Sequence, residues 1–265
     1  MAERGILARL DDIARQVHEE FEAGQRVLSF QEYLALVAAN PARHVRDASR
    51  YLRDAFDHFG RVTLKRPEGE VTRYRLFDLP WLPAAEARRG ALVGQERVQE
   101  ELYRALSNFV QEGRPNRLPL LHGPNGSAKS TVVACIMAAL EHYSTLEEGA
   151  LYRFHWVFPT KSTIKGSIGF SERGTPRAST EESYAHLPDD EVDARLFVEV
   201  RDHPLFLVPE PQRQALLGSL FIAGAKPDAP ISEWVLRGRL SHKNRQVFAA
   251  LLASYEGSLA EVLRH

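Results

Sequence analysis

The chain has 265 residues, of which 44% are hydrophobic, and its 34 basic and 35 acidic side chains leave a formal net charge of −1. This composition supports one large or two modest folded domains. A nearly neutral chain has no global field that would recruit nucleic acid or an anionic membrane, so neither is an expected partner. The lone cysteine, Cys135, excludes an internal disulfide and any multi-cysteine zinc site.

The first residues lack the continuous apolar core of a signal peptide, and no apolar run approaches the roughly 18 residues that a membrane span needs. We therefore expect a cytoplasmic protein.

Three helices are predicted in the first 60 residues. Apolar residues three or four apart indicate a helix over residues 5–24. Ser29 and Glu32 form the pattern of a capping box, which predicts a second helix that ends before Pro41. A third helix is expected to run from Pro41 to a C-capping glycine at Gly60.

Residues 61–77 change from helical to alternating periodicity, which predicts a β-hairpin with its turn at 67–69. The proline-rich stretch "LPWLPAAEARRG" that follows is typical of a domain boundary. We expect a helical amino-terminal region with a β-hairpin over residues 1–80 and a second domain over residues 84–265.

The second domain contains alternating helix and strand patterns. A helix is predicted around Val98 and closed by Gly113, and a buried strand is predicted at 118–121. A glycine-rich loop, an apolar helix and another strand at 151–158 follow. Strand, loop, helix and strand form a βαβ unit, so the predicted fold class is α/β, with a parallel sheet flanked by helices. An irregular insertion is expected at 161–193, and further helices around 210–224 and 244–253.

The stretch "LLHGPNGSAKST" at 120–131 has the parts of a phosphate-binding loop. Gly123 and Gly126 would let backbone N–H groups converge on phosphate oxygens, Lys129 would neutralise the β and γ phosphates, and the Ser130 hydroxyl would bind Mg²⁺. The dipole of the helix that follows would add positive potential. The predicted ligands are therefore ATP and Mg²⁺. The residues predicted to bind them in this loop are Gly123, Pro124, Asn125, Gly126, Ser127, Ala128, Lys129, Ser130 and Thr131.

Ala128 stands where the usual pattern has glycine, and its Cβ could hinder positive φ or a close approach to phosphate. The string G-x-x-G-x-A-K-S/T resembles the loops of several AAA+ ATPases, including minichromosome-maintenance helicases, MoxR-type ATPases and magnesium-chelatase subunits. In those families nucleotide is still bound and hydrolysed, so we interpret Ala128 as a family marker. The alternative is a chance glycine turn between a strand and a helix.

The stretch "LVGQERV" at 92–98 resembles the AAA+ segment that packs against adenine, which would place Val93 and Gly94 near the base. The alternative is an ordinary helix start with Gly94 at a turn.

Several blocks in order resemble the amino-terminal part of bacterial PrkA-type serine protein kinases. They include "SFQEYLALVAANPARHVRDASRYLRDAFDHFG", "ALVGQERVQEELYRALSNFV", the loop itself and "VEVRDHPLFLVP". The resemblance implies an AAA+-type ATP-binding domain after a small helical region, in a protein whose carboxy-terminal part carries the kinase region. "RLFVEVRD" at 195–202 is a poor match to the Walker B strand that ATP hydrolysis needs. The resemblance implies that this strand lies beyond residue 265.

Three roles remain open for such a chain. It could serve a serine/threonine kinase, it could drive protein remodelling or degradation as a homo-oligomeric ring, or it could be a non-hydrolysing regulatory module. The sequence names no protein substrate for any of them. The "VRDHP" stretch lacks the other parts of a protein-kinase catalytic loop, so we expect Arg201 and Asp202 to form a turn or a salt bridge.

Overall fold

The computed structural model describes residues 27–67, 69–160, 183–223 and 230–265. Within these ranges the chain is mostly helical, with ten α-helices and two small antiparallel sheets of two strands each. The helix predicted over residues 5–24 lies outside the described residues.

Elements are numbered in chain order over the described residues. The helices are α1 (Phe30–Ala39), α2 (Pro41–His44), α3 (Ala48–Phe59), α4 (Ala84–Gly90), α5 (Glu96–Glu112), α6 (Lys129–Thr145), α7 (Glu210–Ala223), α8 (Glu233–Arg237), α9 (His242–Ser254) and α10 (Leu259–Val262). The strands are β1 (Arg61–Arg66), β2 (Gly69–Tyr74), β3 (Trp156–Pro159) and β4 (Val192–Leu196). Short 3₁₀ helices lie at Arg75–Asp78, Tyr184–His186, Asp189–Glu191 and Pro204–Leu207.

The chain divides into two compact units. The larger unit contains residues 36–154 and 199–246, and the smaller contains the described parts of 1–35, 155–198 and 247–265. The predicted division near residues 80–84 stays a prediction. None of the described helices is long and apolar enough to cross a membrane.

The predicted capping box at the start of α1 is confirmed. The Ser29 N–H donates to the Glu32 carboxylate at 2.7 Å, and the Glu32 N–H donates to the Ser29 hydroxyl at 3.2 Å. The Ser29 N–H and the nearby imidazole of His186 lower the pKa of Glu32 from 4.5 to about 2. The helix ends at Ala39, before Pro41 as predicted.

The single helix predicted from Pro41 to Gly60 is wrong, because the chain forms two helices, α2 and α3, separated by residues 45–47. The buried carboxylate of Asp47 provides the second N-cap by accepting the Arg50 N–H at 2.8 Å. Its other oxygen accepts the Ser232 hydroxyl at 2.7 Å. The predicted end is confirmed, since Gly60 adopts φ +76 as the C-cap of α3.

The predicted β-hairpin is also confirmed. Strands β1 and β2 pair antiparallel, with Arg61 opposite Tyr74 and Arg66 opposite Gly69. Helix α5 packs against α3 and β2 and ends at Gly113, which has φ +69 as expected for a left-handed C-cap.

The core of the larger unit is centred on Phe56. Its ring meets Tyr74 at 5.3 Å and Phe77 at 5.7 Å, both edge to face, which is a favoured aromatic geometry. Around them pack buried residues of the segment that follows the hairpin and of helices α5 and α6, namely Leu76, Leu79, Leu92, Leu106, Val132, Cys135 and Ala139. This core therefore joins the start of α6 to the segment that precedes α5.

The predicted fold class, α/β with an AAA+-type parallel sheet, is wrong for the described residues, which contain no parallel strand pair. The expected strand at 118–121 does not form, and the side chains of Leu118 and Leu120 are 87% and 80% exposed. Pro119 has no N–H to donate to a neighbouring strand. Part of the expected second strand does form, but β3 pairs antiparallel with β4 and not with 118–121.

The smaller unit contains that second sheet. Beside it, the Val157 N–H donates to the His265 carbonyl at 2.7 Å and the Tyr184 N–H donates to the Arg264 carbonyl at 2.9 Å. Residues 161–182 of the predicted insertion lie outside the described residues, and 183–191 contain two short 3₁₀ helices.

We predict that Asp47→Ala lowers the free energy of unfolding by about 1–3 kcal/mol, because it removes the N-cap of α3 and leaves the buried Ser232 hydroxyl without its acceptor. Asp47→Asn should cost clearly less, since its amide oxygen can still accept the Arg50 N–H. Urea unfolding followed by circular dichroism measures both variants, and equal losses would contradict the capping role.

Candidate nucleotide-binding site

Three residues of the candidate phosphate loop have positive φ angles just before α6. The φ angles are +156 at Gly123, +80 at Gly126 and +62 at Ala128. A Cβ at Gly123 would lie 2.8 Å from the Ser127 hydroxyl oxygen, so this position requires glycine for space as well as for conformation. The loop thus has the irregular, tightly folded backbone that converging N–H groups need.

The ammonium group of Lys129 lies across this loop. It donates to the carbonyl oxygens of Gly123 at 2.8 Å and Pro124 at 2.7 Å, and to the Ser127 hydroxyl oxygen at 3.2 Å. The Ser127 hydroxyl in turn donates to the Pro124 carbonyl at 2.8 Å. The acceptors that hold the Lys129 ammonium at the loop are therefore all neutral. An anionic oxygen could take the place of one of them, because its hydrogen bond to the ammonium would be stronger.

The amino terminus of α6 opens directly from the loop. Ala128 is its N-cap and offers no side-chain acceptor, and Val132 is the first residue whose N–H bonds within the helix, to the Ala128 carbonyl at 2.9 Å. Among the described residues, the N–H groups of Lys129, Ser130 and Thr131 find no acceptor. Uncapped N–H groups with the helix dipole behind them favour an anion at this end of the helix.

The conformation of Ala128 explains why the usual pattern has glycine there. Its φ of +62 lies in the left-handed region, which costs a residue with a Cβ about 1–2 kcal/mol. Ala128 also packs against the core of the larger unit, which helps to hold this conformation. The methyl group is therefore accommodated at the cost of backbone strain.

The structure brings the second predicted segment, at Val93 and Gly94, to the same core. Leu92, just before them, is fully buried in the cluster that contains Val132 and Cys135 of α6. The Cys135 thiol donates to the Gly90 carbonyl at 3.4 Å, and burial raises the pKa of this thiol. Residues next to both predicted segments thus belong to one packed cluster in the larger unit.

Gln99 is a residue of this region that the sequence analysis missed. Its side chain is fully buried and connects the Gly94 carbonyl to the end of β2. It lies three and seven residues before Leu102 and Leu106, which are partly or fully buried in the same core. An amide within an apolar helical stripe was the available signal, because a buried polar side chain needs specific partners.

Other expected parts of a hydrolytic site are not assembled in the described ranges. No group of three or more histidine, cysteine, aspartate or glutamate side chains could hold a metal ion there. Glu199 of the poor Walker B match is exposed and lies 3.5 Å from the ammonium of Lys243. The Ser130 side chain is exposed at the start of α6.

Asp202 of the "VRDHP" stretch was expected to form a turn or a salt bridge with Arg201, and in the structure it acts as a hydrogen-bond acceptor. Its buried carboxylate accepts the Ser241 N–H at 2.7 Å and the Asn244 side-chain N–H at 2.8 Å. These bonds fix the start of α9.

We predict that Ala128→Gly raises the free energy of unfolding by about 0.5–1 kcal/mol, because glycine adopts positive φ without the Cβ penalty, although it gains entropy in the unfolded chain. Ala134→Gly, at an exposed position inside α6, is the matched control and should lower that free energy by about 1 kcal/mol. Thermal unfolding of both variants tests this, and a loss of stability in Ala128→Gly would refute the strained conformation.

No protein-family model, curated protein or solved structure matches this chain. The resemblance to PrkA-type kinases therefore stays a prediction.

Proposed function

We propose that this chain binds Mg²⁺-ATP through the loop at 123–131 and the amino terminus of α6. The Lys129 ammonium would neutralise the β and γ phosphates, and the N–H groups of Lys129, Ser130 and Thr131 would bind phosphate oxygens. The Ser130 hydroxyl would be the protein ligand of Mg²⁺.

The observation that carries the proposal is the uncapped start of α6 beside the Lys129 ammonium. Three N–H groups without acceptors among the described residues and one cation lie within a nine-residue segment. If the start of α6 had only a structural role, a capping side chain at position 128 would stabilise the helix. Ala128 provides no such cap. Anionic oxygens would satisfy both the N–H groups and the lysine.

A protein site with few metal ligands fits magnesium in a nucleotide complex. Mg²⁺ usually keeps several waters and takes most of its other ligands from substrate phosphates, so one hydroxyl is a sufficient protein contribution. When bound, the ion would reduce the negative charge of the phosphates.

The wider role follows the family resemblance and is part of the proposal. We propose that nucleotide binding here serves a cytoplasmic serine/threonine kinase of the PrkA type. The ring-forming remodelling role and the regulatory role begin with the same binding step. A nucleotide-dependent change in oligomeric state would favour the first of these, and tight binding without hydrolysis would favour the second.

We predict micromolar binding of ATP in the presence of Mg²⁺ and a loss of about 10- to 100-fold in affinity for Lys129→Ala, because a hydrogen bond to a charged group contributes about 1.5–3 kcal/mol. Isothermal titration calorimetry measures both. Lys65→Ala, which removes an exposed lysine of β1, is the charge-matched control and should bind as the wild type does.

Thermal unfolding of each variant shows that it is folded before titration. Failure of the folded wild-type chain to bind ATP, or equal binding by Lys129→Ala, would refute the proposal.

A further inference from the structure

Strand β4 of the smaller unit has an open edge within the described part of the chain. It pairs antiparallel with β3 on one side, and these two strands form a sheet of their own. Apart from that pairing, the backbone groups of residues 193–196 make no hydrogen bond with any described residue. Four of the five residues of β4 are exposed. The outer edge of β4 can therefore accept a further strand.

The register of the sheet shows that the backbone of Arg195 faces this edge. Val157 lies opposite Arg195, and the Val157 N–H donates away from β4, to the His265 carbonyl at 2.7 Å. Opposite residues of an antiparallel pair exchange both of their hydrogen bonds or neither. Because the Val157 N–H is used elsewhere, the N–H and carbonyl groups of Arg195 point away from β3.

Asp193 is the extra residue of a β-bulge in β4. Its neighbours Ala194 and Val192 lie opposite Phe158 and Pro159, so Asp193 has no partner in β3. Its carboxylate is exposed and makes no hydrogen bond or ion pair with a described residue. Both the charge and the backbone of Asp193 are therefore available to a partner at the open edge.

The sequence of β4, Val-Asp-Ala-Arg-Leu, is complementary to itself when two copies run in opposite directions. An antiparallel pair centred on Ala194 places Asp193 of each copy opposite Arg195 of the other. The same register places Val192 opposite Leu196. Opposite charges that face each other across two strands are stabilising, and like charges are destabilising. A pair centred on Asp193 or on Arg195 would oppose like charges, so the charge pattern selects the register centred on Ala194.

The guanidinium group of Arg195 is already held near the strand. Its Nη1 lies 2.9 Å from the Asp189 carboxylate, and its Nη2 donates to the Leu187 carbonyl at 3.3 Å. A side chain held in this way loses less rotamer freedom when it meets a second carboxylate.

The small size of the sheet also favours additional strands. An isolated pair of strands is marginally stable in water, whereas three or more strands with an apolar face are stable. Leu196 and the following Phe197 are 40% and 61% exposed. Two copies joined through β4 would form a four-stranded antiparallel sheet in the order β3–β4–β4–β3 and would cover part of this apolar surface.

We propose that the open edge of β4 is a dimer interface, where β4 pairs antiparallel with β4 of a second copy of this chain in the register centred on Ala194. Each copy contributes the same residues, so the assembly closes at two copies. Because one short strand buries little surface, the dimer is weak and depends on protein concentration. It requires no nucleotide, which distinguishes it from a nucleotide-dependent ring.

Sedimentation velocity of the full chain at increasing concentrations, without nucleotide, measures the monomer–dimer equilibrium. Asp193→Arg places a like charge opposite Arg195 in both halves of the interface, and we expect it to weaken the dimer about tenfold or more. Glu101→Arg, at an exposed position of α5, makes the same change of charge outside β4 and should leave the dimer unchanged.

Exchange of the two charges tests the register itself. Arg195→Asp alone should also weaken the dimer, because it opposes two carboxylates. The double variant Asp193→Arg/Arg195→Asp restores opposite charges and should dimerise more tightly than either single variant. The two single variants carry complementary charges, so an equal mixture of them should form a heterodimer more tightly than either variant forms a homodimer.

Circular dichroism and thermal unfolding show whether each variant is folded. If Arg195→Asp does not fold, because it loses the pair with Asp189, the comparison of Asp193→Arg with Glu101→Arg decides the question. A wild-type chain that stays monomeric up to about 200 µM would overturn the proposal. A dimer that Asp193→Arg leaves intact would overturn it as well, because that dimer would use another surface. If the folded single variants do not associate when mixed, the register centred on Ala194 is wrong.

Discussion

The packing of α6 into the core of the larger unit is the contact on which the candidate site depends. Val132, Cys135 and Ala139 lie on the buried face of the helix, and the candidate phosphate loop leads directly into its amino terminus. Burial of this apolar face contributes on the order of 1 kcal/mol or more for each large side chain, which fixes the helix axis. Because Leu92 belongs to the same core, the segment that contains Val93 and Gly94 is anchored by the same packing.

Two of the four described non-glycine residues with positive φ lie at the starts of helices that pack in this core. Ala128 and Gln95 are non-glycine residues with positive φ, and each immediately precedes a 17-residue helix. Ala128 lies in the tight turn that leads into α6, and Gln95 lies in the tight turn that leads into α5. Such strain persists only where surrounding contacts determine the conformation, and it is often found where a ligand binds. Here the core holds Ala128 and the amide of Gln99 holds the turn next to Gln95.

Signals that act within a few residues of each other were reliable in this sequence. The capping box at Ser29 and the glycine C-caps at Gly60 and Gly113 form as predicted, because each depends on bonds to the adjacent turn of helix. The residues of the phosphate loop also form a continuous irregular turn into a helix. The break at residues 45–47 was missed because the cap residue Asp47 is held by Ser232, which is distant in sequence.

The sequence by itself determined the helix boundaries that local capping sets, the hairpin, and a glycine-rich loop that leads into a helix with a lysine at its start. Only the tertiary structure decided strand pairing and the partners of buried polar groups. Residues 118–121 have the composition of a strand, but a strand needs a neighbour, and the neighbour of β3 is β4. Gln99 has a defined role for the same reason, since its two partners lie 25 and 5 residues away and meet only in the folded chain.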